Sequence, residues 1–134
     1  MQLYTEKVIE TFMNPQNVGR MPDADGIGKV GNAQCGDIMQ IFIKVKDNVI
    51  YDIKFLTLGC AAAIATSSIA TQMVKGKTIE EALKITNKEV VNALGGLPPE
   101  KHHCSVLAED GIRAAIEDYL SKHPEHKEKK KKKK

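Results

Sequence analysis

The order of periodic segments along this 134-residue chain predicts an α+β domain, a small antiparallel sheet of about three strands packed against several helices. Three observations carry that expectation. A helix-spaced apolar segment opens the chain, two alternating apolar–polar runs joined by a two-residue turn follow it, and most of the chain beyond residue 60 reads as helix.

Taken in order, Tyr4, Val8, Ile9, Phe12 and Met13 fall at helical spacing over residues 3–13, and Asn14-Pro15 stops that helix. Residues 14–37 are rich in Gly, Asp and Pro, with room for one short strand near residues 29–33. Met39, Ile41, Ile43 and Val45 then alternate with Gln40 and Lys44, and Val49, Tyr51, Ile53 and Phe55 alternate with Asp52 and Lys54. Asp47-Asn48 between the two runs tolerates positive φ and suits a hairpin. The second run ends at Gly59. Residues 61–75 form a helix whose Ala, Ser and Thr content allows a close approach to the sheet, and Gly76 closes it. Thr78 and Glu81 read as the capping box of a short helix, and Asn87 as the cap of another that ends at Gly95-Gly96. After Leu97-Pro98-Pro99 a last helix over about residues 105–122 sets Ile112, Ala115, Ile116 and Tyr119 on one face. No repeat or long linker divides the chain, so a single domain over residues 1–122 is expected, followed by a lysine-rich disordered tail, residues 123–134.

Composition narrows the function. Hydrophobic residues make up 42% and charged residues 28%, ordinary globular usage, and the uncharged stretch from Phe55 to Met73 is too broken by Thr, Ser and Gly59 to span a membrane. The net charge of +3 misleads: Lys129 to Lys134 supply six positive charges, so the remainder carries 3 − 6 = −3. A mildly acidic body without a basic, aromatic-lined groove argues against nucleic-acid binding. Three cysteines cannot all pair, and no targeting segment precedes the first helix, so a cytoplasmic location with reduced thiols is expected.

The chemistry then lies in where those cysteines fall. Cys35 sits where a loop enters a strand, Cys60 between a strand and a helix, and Cys104 just ahead of the last helix. Buried structural cysteines usually sit within apolar faces, and these three occupy breaks instead. Cys60 lies at a helix N-terminus, where unpaired amides favour negative charge. Asp37 is two residues beyond Cys35, on the same side of an extended segment, and His103 adjoins Cys104. Cys35, Cys60, Cys104 and His103, with Asp37 as a fifth donor, form a soft thiolate–imidazole set suited to Zn²⁺ or an iron–sulfur cluster. The gaps of 25 and 44 residues match no zinc finger and identify no metal by themselves. A surplus donor suits a site that exchanges ligands. A Cys–His hydrolase built on Cys104 and His103 is disfavoured, because adjacent side chains diverge and Cys35 and Cys60 would have no task.

The assembled motifs resemble a known family. Asn14-Pro15-x-Asn17-x-Gly19, Cys35-Gly36-Asp37, Gly59-Cys60-Ala61-Ala62-Ala63-Ile64-Ala65 and Leu97-Pro98-Pro99-x-Lys101-x-His103-Cys104-Ser105 are similar to the IscU family of iron–sulfur cluster assembly scaffolds, related to the N-terminal domain of NifU. The resemblance runs from about residue 3 to residue 122. It implies a scaffold rather than an enzyme, on which a transient [2Fe–2S] cluster is built from Fe²⁺ and sulfur at Cys35, Asp37, Cys60, His103 and Cys104, with Zn²⁺ held there in isolated members. It implies a cysteine desulfurase as sulfur donor with Cys104 as the usual first acceptor, and Asp37 as the residue that keeps the cluster labile. A ferredoxin-like electron donor, a frataxin-like regulator and recipient apo-proteins complete the implied partners. The family's Hsp70-type chaperone segment departs here, with Glu100 in Leu97-Pro98-Pro99-Glu100-Lys101 where the family has Val. A charge there would have to be desolvated in an apolar peptide groove, which argues against chaperone-driven transfer. The alternative is a zinc-dependent sulfur acceptor serving the same desulfurase. Such relatives carry an insertion between the second and third cysteines that the 44-residue gap lacks.

Overall fold

The computed structural model describes residues 5–32, 37–97 and 102–122, and for Asn32, Asp37, His102 and His103 the backbone alone. Cys35, the Leu97–Lys101 segment beyond Leu97 and the lysine tail thus lie outside the described residues. The elements run α1 (Glu6–Met13), β1 (Gly26–Asn32), β2 (Asp37–Lys46), β3 (Val49–Leu58), α2 (Ala61–Val74), α3 (Ile79–Leu83), α4 (Asn87–Ala93) and α5 (His102–Lys122). The expected α+β class holds.

The three strands form one antiparallel sheet in the order β1-β2-β3. Asp47 and Asn48 turn the β2–β3 hairpin with φ of 54° and 66°, the left-handed pair that a tight hairpin requires. Met39, Ile41, Ile43, Ile53 and Phe55 are buried and join the core under the helices. On the outer edge of β3, Gly19 N–H donates to Phe55 O at 2.9 Å and Phe55 N–H to Asn17 O at 2.8 Å. The 14–25 segment thereby covers an edge that would otherwise expose unpaired amides.

β1 starts earlier than its composition suggests, at Gly26, and the reason is α5. A Cβ on Gly28 would stand 2.4 Å from Ala115 N and 2.6 Å from Gly111 O, and one on Gly26 2.3 Å from Ala115 O. The helix backbone lies directly on the strand, so these positions need glycine, and the glycines in turn hide the strand from a reading by β-propensity. α5 itself runs from His102, three residues before the expected start.

α1 forms as its spacing predicts but buries little of its apolar set. Val8 and Thr11 are buried, whereas Ile9, Phe12 and Met13 are exposed. The helix packs on α2 rather than on the sheet, and Thr11 can turn inward because its hydroxyl donates to Lys7 O at 2.7 Å. The Thr78–Glu81 box is present as expected. The α4 cap is not Asn87 but Thr86, which forms a second such box with Glu89, leaving Asn87 as the first helical residue.

α2 is the central helix. Ala62, Ala63, Ala65, Thr66, Ser67, Ser68, Ile69, Ala70, Thr71 and Val74 are all buried. Three of its hydroxyls are satisfied by backbone carbonyls one turn back: Thr66 and Ser67 both donate to Ala63 O, at 3.0 and 2.7 Å, and Thr71 to Ser68 O at 2.8 Å, while Ser68 donates to Gln16 O at 3.3 Å. No described helix is long and apolar enough to cross a membrane.

Candidate metal centre

Three chain segments end together at one edge of the sheet. Asn32, the last residue of β1, pairs with Asp37, the first of β2, and Ile38 pairs with Leu58, the last of β3. Two residues beyond Leu58 comes Cys60. α5 runs antiparallel to β1, since Tyr119 lies at Gly26 and Gly111 at Gly28 and Val30. Its first turn, with Cys104, is thus carried to the end where β1 finishes and β2 begins. Sheet topology and helix direction together bring residues 37, 60 and 104 to one end of the molecule.

The two described cysteines meet there. Cys60 Sγ and Cys104 Sγ lie 3.9 Å apart across 44 residues of sequence. A disulfide needs about 2.05 Å, so the sulfurs are not bonded. Two thiolates at about 2.3 Å from one tetrahedral metal ion are separated by roughly 3.8 Å, which is the spacing observed. The donor chemistry fits as well, because thiolates select Zn²⁺, Cu⁺ and iron–sulfur species over hard cations.

The local structure holds each sulfur for a different reason. Cys60 is the N-cap of α2 with extended backbone, and its side chain makes no capping hydrogen bond, so the thiol is not spent on the helix. Its carbonyl instead accepts from Ala63 and Ile64 N–H at 3.0 and 3.2 Å. Cys104 is buried among Ala62 and Ala63, with Cys60 and Leu97 packed against that cluster. The sequence expectation of a cysteine in a break ahead of the helix is corrected here: Cys104 belongs to the first turn of α5 and is enclosed. Thr66, which sequence reasoning passed over, joins the two helices. Its hydroxyl lies 3.0 Å from Ala63 O and 3.3 Å from Cys104 O. Nothing local marks a Thr inside an Ala/Ser/Thr-rich helix as the residue facing Cys104.

Of the five donors expected from sequence, Cys60 and Cys104 are brought together, and the backbone of Asp37 stands at the same end. Cys35 and the side chains of Asp37 and His103 lie outside the described residues. Among the described residues no cluster of three or more metal-binding side chains occurs, here or elsewhere; the described part of this site is the Cys60–Cys104 pair.

Comparison with known proteins identifies the family of the chain. The model of the NifU-like N terminal domain matches residues 3–126. Iron-sulfur cluster assembly scaffold protein IscU 1 of Archaeoglobus fulgidus is 66% identical over 120 residues, 90% of this chain and 78% of that protein. Iron-sulfur cluster assembly scaffold protein IscU of Aquifex aeolicus is 51% identical over 121 residues, 89% of this chain and 77% of its own. The crystal structure of a nitrogen-fixing NifU-like protein (N-terminal) from Brucella abortus superposes with a TM-score of 0.71 at 21% identity, covering 90% of this chain and 96% of that one, a likeness of fold. With two sulfurs at the spacing of a shared metal and a family match across nearly the whole chain, the protein belongs to the NifU-like N-terminal domain family of iron–sulfur cluster assembly scaffolds.

Proposed function

We propose that this chain is a scaffold on which a [2Fe–2S] cluster is built and from which it is handed to recipient apo-proteins. The observation that carries the reading is the 3.9 Å separation of Cys60 and Cys104, the edge of a thiolate tetrahedron held open by two helix starts. Cys35 adds a third thiolate. Asp37 or His103 fills the fourth place, and whichever is left over opens a ligand-exchange route for the cargo. Cys35 stands two positions before Asp37, a chain reach of about 7 Å from the start of β2.

Sulfur arrives as a persulfide from a cysteine desulfurase and is taken up by the cysteines of the site, an exchange governed by thiolate character and access. A ferredoxin-like donor reduces it to sulfide as Fe²⁺ is bound, and a frataxin-like regulator sets the pace. The role is binding and transfer, in a cytoplasm that keeps the three thiols reduced. Zn²⁺ suits the same donors when iron is scarce. Glu100 argues for release to recipients without an Hsp70-type chaperone.

The test is anaerobic reconstitution with Fe²⁺, cysteine and a cysteine desulfurase, read by visible absorption and metal analysis. About two irons and two sulfides per chain with thiolate-to-iron charge-transfer bands are expected. A colourless protein that retains one zinc and still accelerates the desulfurase would replace the scaffold with a zinc-dependent sulfur acceptor.

A further inference from the structure

The end of α4 leads the chain to the cysteine pair, and that end is fastened from far away in sequence. Leu94, the C-cap of α4, is fully buried. Gly95 and Gly96 then leave the helix with φ of 78° and 112°, and Gly96 N–H donates back to Val91 O at 2.9 Å. Leu97 follows, half-buried and packed against the cluster of Ala62, Ala63 and Cys104. The Leu94 carbonyl lies at a helix end, where no further turn supplies it with an amide. The Thr5 hydroxyl donates to it across 89 residues of sequence. The same hydroxyl oxygen accepts from Val8 N–H at 3.1 Å as the N-cap of α1. One hydroxyl thus closes an orphan amide of α1 and an orphan carbonyl of α4. Its methyl group borders the turn as well, for a Cβ on Gly95 would stand 3.5 Å from Thr5 Cγ2.

We propose that Thr5 is a positioning residue of the cysteine pair: its bond to Leu94 O fixes the end of α4, and through it holds Leu97 over Cys104. Thr5 touches neither sulfur and acts through the three residues that follow Leu94. Two of those are glycines, whose backbone has the widest conformational freedom, so the turn by itself does not fix Leu97. Its place is set by the anchors on either side, the buried Leu94 with its Thr5 bond and the packing of Leu97 itself.

Cys104 is 0% exposed, and the side of its enclosure that can yield is Leu97. Ala62 and Ala63 belong to α2 and move with the core, whereas Leu97 sits beyond a helix end. A local opening that carries Leu97 away exposes the thiol without global unfolding. The Thr5 bond opposes that opening, because removing the donor leaves the Leu94 carbonyl without it and weakens the closed state. The consequence for cargo rests on the reading of the pair as a metal centre. An ion held across Cys60 and Cys104 leaves by exchange with an outside ligand, which has to reach the sulfurs, so a fastened Leu97 slows release.

The experiment separates the two bonds of the hydroxyl. An aspartate in place of Thr5 still caps α1 by accepting from Val8 N–H, but its carboxylate has no proton for Leu94 O. The metal-free full chain is alkylated anaerobically with iodoacetamide, the rate at each cysteine is read by peptide mass spectrometry, and the urea midpoint is measured alongside. In Thr5→Asp, Cys104 is expected to react at least about fivefold faster than in the wild type, with Cys60 and the midpoint close to wild-type values. Thr5→Ser keeps the donor and should match the wild type. Leu97→Ala should also expose Cys104, and adding Thr5→Asp to it should bring no further increase. A wild-type Cys104 rate in Thr5→Asp would overturn the proposal, and so would additive effects in the double variant. If both cysteines speed up together as the midpoint falls, Thr5 is a general stability residue and the proposal fails. One measurement needs no variant to fold: in the wild type, Gly96 N–H should open to hydrogen exchange at least as often as Cys104 opens to alkylation. A Cys104 that opens more often than Gly96 would overturn the proposal, since Leu97 would then be leaving without the end of α4. A second arm loads Zn²⁺ and follows its loss to a chelator, expected to be at least about fivefold faster in Thr5→Asp. If Zn²⁺ protects neither Cys60 nor Cys104 from alkylation in the wild type, the metal-centre reading falls, and the metal-free rates alone decide the role of Thr5.

Discussion

Thr66 shows how much a single hydroxyl can organise. It is buried in α2, one proton within reach of two carbonyls, Ala63 O near the start of α2 and Cys104 O in the first turn of α5. The hydroxyl thus ties the helix that follows Cys60 to the turn that carries Cys104. Thr66→Val keeps the shape and removes the donor, and a loss of about 1 kcal/mol is expected from chemical denaturation. Thr66→Ser should regain most of it. Spacing is read separately, by the affinity of the metal-free chain for phenylarsine oxide, which must bind two neighbouring thiols at once. Weaker binding is expected in Thr66→Val but not in Thr66→Ser. Thr71→Val is the control: its hydroxyl donates to Ser68 O and accepts from Asn17 Nδ2, so stability should fall while arsenical binding holds. Equal loss of arsenical binding in both Val variants would reduce Thr66 to an ordinary core residue.

Among the elements, α5 and β1 depend on each other most directly. The helix backbone rests on Gly26 and Gly28, where a methyl group would meet backbone atoms rather than flexible side-chain ends. Gly28→Ala is therefore expected to cost at least the 1–3 kcal/mol typical of about one overpacked group, read as a lower midpoint in urea. Asp118 on α5 also reaches the strand, accepting from Ile27 N–H at 2.8 Å and pairing with Lys122 at 2.9 Å. Burial raises the Asp118 carboxyl pKa, but the Ile27 amide and the Lys122 ammonium outweigh it and leave the group below its usual value. A carboxyl depressed in the fold stabilises above its unfolded value of about 3.9 and loses that contribution as pH falls through the folded value. Thermal unfolding of wild type and Asp118→Asn should thus differ at pH 7 and converge below about pH 4. A gap that stays constant down to pH 3 would remove the carboxylate charge as the cause. At α4 the capping box makes a sharper contrast. Thr86→Ala is expected to cost about 1 kcal/mol and Asn87→Ala only a few tenths, and the reverse order would restore Asn87 as the cap.

For the molecule as a whole, the site is a seam. Sheet edge, central helix and last helix converge on the cysteines, and none of them alone presents more than one of the two described sulfurs. Cargo that binds across the seam couples those elements and stabilises only the folded chain. Zn²⁺ at about 100 times its dissociation constant should add about 2.7 kcal/mol, seen as a higher unfolding temperature that a chelator reverses. Cys60→Ala should abolish most of that rise while leaving the metal-free midpoint near the wild-type value, because Cys60 is half-buried and caps nothing with its side chain. A metal-induced shift that survives Cys60→Ala would place the ion elsewhere.

Much of this was legible in the chain before any coordinates. The strand alternation of Met39–Val45 and Val49–Phe55, the Asp47-Asn48 turn, the Thr78 box and the buried face of α5 are local facts, because period and turn chemistry act within a few residues. The motifs around Cys35, Cys60 and His103-Cys104 likewise carried the family resemblance unaided. What local pattern could not supply was every relation between distant segments. Composition places the first strand only near residues 29–33, because Gly26 and Gly28 at its start admit α5, a partner some 85 residues away. The apolar spacing of α1 predicts a helix, but a periodic stripe does not say whether a sheet or a helix will receive it. The 3.9 Å between Cys60 and Cys104, and the difference in their burial, arise only when the antiparallel run of α5 along β1 closes a 44-residue gap. Such spacings belong to packing, which weighs all segments at once.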